Sequence, residues 1–499
     1  MALDNLREFV DAIDKAGDLV RIERPVSVDK EITEIADRCM KSPGGGPALL
    51  FTQPTLRSGG GPRSRYPVAV NLFGSERRMS LALGVECLDE VGARIAELLA
   101  IKVPEGLLGK LAMLPRLAEV AKFPPKTVGG GRAACQETVI KGADVDLTQF
   151  PVPICWPEDG GPYITLGGVI TKDRESGVRN VGMYRVQMLS KNTLAMHWQR
   201  HKVGAAHWRA MAQRGETMPV AIALGGDPAS IYAASAPLPP TIDEFLFAGF
   251  LRGEPVRLAK ATTSDLGVPA EAEIVIEGHI DPREDLVLEG PFGDHTGFYS
   301  LADYYPKVHV TAVTFRDKPI WPHTIVGRPP MEDYYLGHAT ERIFLPLLRL
   351  TIPEIVDLHM PAEGIFHNLV FVSIDKQYPG QAYKVMNGLW GQGLMSLAKV
   401  IVVVDKDVNV RDPKEAWWVA LNHIDPERDV RFTMGPIDVL DHSSRGFTYG
   451  SKMGIDATRK WKEEGFTREW PKRIEMDPET KARVDAMWRD LGIDRRPGR

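Results

Sequence analysis

The sequence predicts a multidomain α/β protein of three successive parts: an N-terminal α/β domain, a central β domain and a C-terminal α/β domain. Three observations carry this prediction. The chain has 499 residues, and at about 150 residues per domain it has room for roughly three cores. The period of its apolar residues changes twice, from helical to alternating near residue 122 and to mixed strand and helix order after residue 318. Its 47 glycines and 38 prolines make up about 17% of the chain, above the usual ~12%, so many turns are specified between short elements.

In the first part (1–122), Leu3, Leu6, Phe9, Val10 and Ile13 recur at helical spacing, Gly17 ends the pattern, and Leu19–Ile22 reads as a strand. The runs Ser42–Pro47 and Ser58–Pro62 are glycine-rich, but neither continues into a P-loop or dinucleotide fingerprint, so both read as loops. Pro124-Pro125 followed by Gly129–Gly131 marks a linker. The second part (123–318) holds alternating runs around Ile164–Thr171, Arg179–Ser190, Leu194–His201, Val220–Leu224, Glu273–Ile280 and Val308–Thr314. The third part (319–499) reads as a strand at Leu369–Ile374, a helix over Ala382–Leu397, a strand at Lys399–Asp405, a helix around Glu415–Asn422 and a strand at Asp429–Phe432. That order predicts a parallel sheet with right-handed crossovers. A last helix is expected from the Asp477 cap and Pro478 to the stop at Gly492. Its apolar face of Val484, Met487, Trp488 and Leu491 packs on its own domain or docks on a second subunit.

Composition narrows the function. With 61 basic against 66 acidic residues the net charge is −5, which argues against nucleic acid as the main partner. Hydrophobic content of 43% and charged content of 25% are those of a globular chain, not a disordered one. The four cysteines, Cys39, Cys87, Cys135 and Cys155, form no C-x-x-C or zinc pattern and point to a reducing compartment. Asp4, Glu8, Asp11 and Asp14 exclude a signal or transit peptide over the first helix. No apolar run reaches membrane-spanning length, Val400–Val404 being strand-sized. A cytoplasmic protein without an integral membrane segment is expected.

Two segments carry chemistry. In the first, Asn180-Val181-Gly182-Met183-Tyr184-Arg185 and His197-Trp198-Gln199-Arg200-His201-Lys202 flank Lys191-Asn192. With Lys191-Asn192 as a two-residue hairpin loop, Ser190 faces Thr193 and His201 falls opposite Gly182, diagonal to Asn180 at roughly 7 Å. The missing side chain at Gly182 would leave space there for a ligand. An Asn oxygen and a His nitrogen on one face suit a hard or borderline divalent metal, whose third ligand would be a carboxylate. Glu244, in Thr241-Ile242-Asp243-Glu244, offers one in the first turn of a helix, where the macrodipole also favours an acid. Arg185 has the opposite parity to Asn180, so either a bulge intervenes or the two serve opposite sides of something.

The second segment, Glu289-Gly290-Pro291-Phe292-Gly293-Asp294-His295-Thr296-Gly297, sets two carboxylates five residues apart. Such a loop either turns both toward one centre or is a surface turn with Asp294 as a cap. With an arginine beside them, one carboxylate stays ionised while burial raises the other until it holds a proton, which separates acid from base.

These segments, together with Gly327-Arg328-Pro329-Pro330 and Gly450-Ser451-Lys452-Met453-Gly454-Ile455-Asp456-Ala457-Thr458, resemble the UbiD decarboxylases, which act reversibly on aromatic and α,β-unsaturated acids with prenylated FMN. The likeness runs in order over most of the chain. It implies a central split β-barrel that binds the flavin, an α/β domain before it and an oligomerising α/β domain after it. It implies that Asn180, His201 and Glu244 hold a Mn²⁺ bridging to the flavin phosphate, with K⁺ as a further candidate ion. Met183, Tyr184, Arg185, His197, Trp198, Gln199, Lys202 and Val203 would contact the flavin, and Arg185, Glu289 and Asp294 would form the catalytic network. In it Arg185 orients the substrate carboxylate and Asp294 delivers the proton. His201-Lys202-Val203 departs from the His-Arg-Gly of close relatives, although Lys202 still meets a phosphate as a point charge.

The stretches Trp321–Tyr335 and Leu440–Ser444 look like the branch of that family acting on phenolic or naphthoic quinone precursors. There His323 or His442 either bonds a ring hydroxyl or is a satisfied structural histidine. The resemblance implies decarboxylation of 3-polyprenyl-4-hydroxybenzoate, with a dihydroxynaphthoate of menaquinone synthesis, or another aromatic or α,β-unsaturated acid, as alternatives. A flavin prenyltransferase would supply the cofactor, and the enzyme would be a homo-oligomer, dimer or hexamer. Two other classes compete. An FMN-dependent oxidoreductase has no need of the carboxylate pair, and a non-catalytic assembly subunit would tolerate loss of Arg185 and Glu289, both of which are present.

Overall fold

The computed structural model describes residues 2–59, 61–100, 121–129, 133–199 and 202–491. The first helix, Leu6–Lys15, is capped by Asn5, whose side chain accepts from Glu8 N, and it buries Leu6, Phe9, Val10 and Ile13. The strand Leu19–Ile22 pairs in parallel with Ala48–Phe51 in a sheet completed by Val68–Val70 and Trp321–His323. The expected start of the third part therefore returns to finish the sheet of the first. Of the expected glycine linker at 129–131, only Gly129 lies within the described residues.

The centre is a nine-stranded sheet whose pairs are all antiparallel among the described residues. Its order is 179–183, 167–172, 218–225, 272–280, 307–315, 193–196, 186–188 and 163–164, with 138–141 also on 307–315. Two pairs of chain neighbours stand at opposite ends of this order: Tyr163–Ile164 with Gly167–Lys172, and Arg179–Met183 with Val186–Met188. Six strand spacings would span about 29 Å in a flat sheet, and a two-residue link reaches only about 10 Å. The sheet must curl until its ends nearly meet, as a split barrel does, and Tyr184-Arg185 cross the seam.

This closure corrects the hairpin expectation. The strand Arg179–Met183 pairs with Gly167–Lys172, not with the strand after Asn192. The hairpin proper pairs Val186 with Met196 and Gln187 with Ala195, one residue out of the expected register, because Leu189 N and Ser190 N both donate to Thr193 O. Its second strand, Thr193–Met196, ends before His201, which lies outside the described residues. The long strands around Val220, Glu273 and Val308 form as expected, as Met218–Gly225, Ala272–Ile280 and Lys307–Phe315.

In the C-terminal part, Leu369–Ile374, Val400–Asp405 and Tyr449–Asp456 run parallel, and Ile355–His359 and Val430–Pro436 close the sheet antiparallel at its edges. The strand expected at Asp429–Phe432 is thus an edge strand, and Tyr449–Asp456 takes the parallel place beside Val400–Asp405. The expected helix over 382–397 is Gln381–Trp390 followed by a 3₁₀ turn at Gly393–Leu397. The last helix, Pro478–Met487, is capped by Asp477 but buries none of its residues, and Met487, Trp488 and Leu491 stay exposed. Its expected stop, Gly492, lies outside the described residues. Among those residues no helix is long and apolar enough to cross a membrane.

Candidate active site

Because Tyr184-Arg185 cross the seam, Arg185 leaves the face that Asn180 occupies and packs against the acidic loop. His197 N bonds Arg185 O at 3.4 Å, so the actual register sets His197 opposite Arg185. Arg185 Nε and Nη2 donate to Glu289 Oε1 and Oε2 at 2.9 and 3.0 Å, a bidentate pair. Its Nη1 donates to Asp294 Oδ2, and the guanidinium stands 4.8 Å over the Phe292 ring. His197 Nδ1 lies 2.9 Å from Glu289 Oε2. The loop is held open by Gly290 N donating to Gln187 Oε1 at 2.9 Å and Gly293 N to Asp159 Oδ1 at 2.8 Å. Gly290 itself has φ +94°, which glycine adopts at no steric cost. Both carboxylates therefore turn toward one guanidinium, and the surface-turn alternative is not the one observed.

The expected separation of acid from base is not present in this arrangement. Burial works to raise Glu289, but the His197 hydrogen bond and the Arg185 charge outweigh it and hold the carboxyl at about 2. Burial also works to raise Asp294, yet the His295 hydrogen bond and the Arg185 charge carry it below the ordinary carboxylate range. His295 supplies that bond twice, through its backbone N at 2.8 Å and its Nδ1 at 2.9 Å, both to Asp294 Oδ1. Asp294 is thus an ionised acceptor, and the proton-rich group beside it is His295. Burial would lower His295, but the bond to Asp294 and its charge raise it above the usual histidine value. His295 lies within the Glu289–Gly297 segment, and its role follows only from its contacts.

On the other side of Tyr184, Asn180 and Glu244 come together. Glu244 opens the helix Glu244–Arg252 and accepts from Val181 N at 2.7 Å. Both side chains are buried, and burial pushes Glu244 up to about 7. Among the described residues, Asn180 Nδ2, His197 Nε2 and Trp198 Nε1 are buried without a hydrogen-bond partner. Buried polar groups left unpaired are costly, so this face fits a polar group that the described residues do not supply. The helix Val203–Arg214 begins here, and Lys202 at its N-cap makes no side-chain cap. The first amides of a helix lack intrahelical acceptors, a feature that suits an anion such as a phosphate.

Gly182 has a different purpose from the one expected. A Cβ there would lie 2.2 Å from the Tyr184 ring, so the glycine makes room for Tyr184, not for a ligand. Tyr184 packs edge-on to Trp198 at 6.2 Å, Met183 N donates to Ala234 O at 2.7 Å, and Lys202 N donates to Gln199 O at 3.0 Å. His323 is fully buried between Thr165 Oγ1 at 3.0 Å and Cys155 Sγ at 3.2 Å, and burial pushes it down to about 3. It is a satisfied core histidine, not a partner for substrate. His442 is exposed and lies against Phe298, ring centroids 4.5 Å apart.

Known proteins resemble this chain along its length. The three parts of one family match: the 3-octaprenyl-4-hydroxybenzoate carboxy-lyase N-terminal domain over residues 10–95, the Rift-related domain over 126–329 and the C-terminal domain over 334–457. An uncharacterised protein of Aquifex aeolicus is 54% identical, covering 98% of this chain and 99% of its own. The UbiD-class enzyme HmfF of Pelotomaculum thermopropionicum, solved with FMN, is 29% identical with TM-score 0.80, covering 96% of this chain and 98% of its own. The closed form of vanillic acid decarboxylase from Sedimentibacter hydroxybenzoicus is 27% identical with TM-score 0.82, covering 98% and 99%. With the split barrel, the arginine held between two carboxylates and all three family domains in order, the chain belongs to the UbiD family and is a carboxy-lyase.

Proposed function

We propose that this carboxy-lyase removes CO₂ from a phenolic aromatic acid with prenylated FMN bound across the seam of the split barrel. The first substrate to test is 3-polyprenyl-4-hydroxybenzoate and the second a dihydroxynaphthoate. The observation that carries this reading is the buried Arg185 between Glu289 and Asp294, next to a face of polar groups that have no partner among the described residues. HmfF, solved with FMN, and vanillic acid decarboxylase, named for a phenolic acid, support it.

Loss of CO₂ from an sp² carbon leaves an electron pair that no side chain here can accept, and prenylated FMN supplies that electron sink. Asn180, Glu244 and His201 would hold Mn²⁺ at the flavin phosphate, with Lys202 and the Val203 helix start as further anion partners. Met183, Tyr184, Trp198, Gln199 and His197 would line the flavin. Arg185 binds the substrate carboxylate while its bidentate pair keeps Glu289 ionised. The incoming carboxylate competes with Asp294 for Arg185 Nη1. Once released from that charge, Asp294 can take a proton and deliver it to the carbon that loses CO₂. The exposed apolar face of the last helix suits contact with a second subunit.

The test is mass spectrometry of the cofactor extracted from protein made in cells that also express a flavin prenyltransferase, followed by a panel of hydroxybenzoates, naphthoates and cinnamates. Prenylated FMN with turnover of a hydroxybenzoate or naphthoate is expected. Unmodified FMN alone would favour an oxidoreductase instead, and turnover of cinnamates only would overturn the substrate class.

A further inference from the structure

The acidic loop is not the end of the hydrogen-bonded chain that begins at Arg185. His295 Nε2 lies 3.4 Å from His367 Nε2, and His367 Nδ1 lies 3.1 Å from Asn368 Oδ1. His367 belongs to the C-terminal part, between the 3₁₀ turn Ala362–Gly364 and the strand Leu369–Ile374. The partners decide the protons. Asn368 Oδ1 only accepts, so His367 Nδ1 carries a hydrogen and its neutral Nε2 offers a lone pair. His295 Nε2 must then be the donor across the 3.4 Å contact. Since His295 Nδ1 faces the ionised Asp294 Oδ1, it also donates, and His295 carries both protons.

The backbone is arranged to hold His367 there. Ile365 and Phe366, directly before it, have φ +43° and +68°, a left-handed conformation that side chains, and a β-branched one above all, enter only at a cost. Phe366 packs on the His295 ring at 5.6 Å. It fits because Gly337 on the helix Glu332–Thr351 has no side chain, a Cβ there coming within 2.4 Å of its ring.

We infer that His367 is a positioning residue that holds His295 as an imidazolium and so makes the Asp294–His295 pair the proton store of the reaction. This rests on the decarboxylase reading above. Each turnover consumes one proton for each CO₂ released. Asp294 passes its proton to the product carbon, having received it from His295 Nδ1 when Arg185 turned to the substrate carboxylate. His295 is left neutral with its remaining hydrogen on Nε2, bonded to His367, until solvent restores the other. The charged and titratable groups around the pair agree. Asp294, Asp333 and Asp438 act on His295 in the direction of charge. Burial pushes His367 down to about 4, and the His295 charge adds to this while Asp438 and Asp441 oppose it, so the shared proton stays on His295.

The test uses the flavin-loaded full-length protein labelled with ¹⁵N-histidine, with His295 assigned by its loss in His295→Gln. Both His295 nitrogens are expected to be protonated at pH 7 and to titrate above the ordinary histidine range. His367→Phe, which keeps a ring but no acceptor, is expected to lower the His295 midpoint by about one pH unit. On the best substrate of the panel it should lower kcat about tenfold above that midpoint with KM unchanged, while His367→Gln, whose amide oxygen can accept, restores both. A His295 midpoint identical in wild type and His367→Phe would overturn the inference, and so would a protonated His367 beside a neutral His295. The nitrogen titration reads His295 whether or not a substrate turns over, so failure of the inference and failure of the decarboxylase reading are told apart.

Discussion

The two sides of Tyr184 are built on opposite principles. On the Arg185 side every charge is answered within the chain: Glu289 by Arg185 and His197, Asp294 by Arg185 and His295. On the Asn180 side, Glu244 is buried against the backbone donor Val181 N, and Asn180 Nδ2 has no hydrogen-bond partner among the described residues. A buried group is tolerated when paired and costs free energy when not. The first side is therefore organised before anything binds, and the second is organised by what binds. This suits the division of labour proposed above, in which one side handles a transient substrate and the other a resident metal and phosphate.

The sharpest way to break this contrast is to remove one group from each side. Arg185→Met strands two buried carboxylates and is expected to cost about 3–5 kcal/mol in denaturant unfolding of the cofactor-free protein, with decarboxylation abolished. Asn180→Ala removes a donor that has no partner among the described residues and should change unfolding by less than about 1 kcal/mol. Equal costs would show that both sides are organised by the chain alone. Next in size, Asp294→Asn should lower decarboxylation and substrate H/D exchange about 10²–10⁴-fold with flavin retained. Near-full activity would remove the proton-delivery role.

The third test concerns Glu244 in metal-free protein. Burial raises its carboxyl to about 7, so between the ordinary carboxylate range and neutrality the folded state keeps a proton that the unfolded chain has lost. Stability should fall as pH rises through that window, by on the order of 3 kcal/mol, and level off above it. Glu244→Gln and saturating Mn²⁺ should each flatten this slope, read as Tm against pH, and Glu244→Ala should lower retained Mn and flavin. A slope unchanged by the substitution would take Glu244 out of the metal side. The smallest effect is expected for Gly182→Ala, whose Cβ meets the Tyr184 ring. Overpacking costs about 1–3 kcal/mol, and displaced Tyr184 should show as weaker flavin retention with Arg185 chemistry otherwise intact.

Local signals were enough for much of the fold. The first helix was legible because its apolar stripe and Gly17 stop are contained within a few residues, and the long barrel strands because alternation and turn residues are also local. The acidic loop was legible as a pair of carboxylates around Gly-Pro. The hairpin register was not, because it depends on a single backbone acceptor, Thr193 O, taking two donors, and no residue type announces that. The last helix was legible as a helix but not in its packing, which depends on surfaces outside the segment.

By itself, the sequence determined which chemical groups are available and, through motif order, which family the chain belongs to: the Asn180 strand, the Glu289–Gly297 loop and the Lys452-Met453-Gly454 segment occur in series. Tertiary structure alone decided how those groups face one another. Closure of the barrel sent Arg185 across the seam and away from Asn180, and it set His197 opposite Arg185. The turn of the acidic loop gave Asp294 two positive neighbours and so the reverse of the proton affinity expected from burial. The C-terminal part brought His367 to His295 from 72 residues away. The physical reason is the same in each case. Proton affinity and metal affinity depend on which charges stand within a few ångströms, and that distance is set by the fold, not by spacing along the chain.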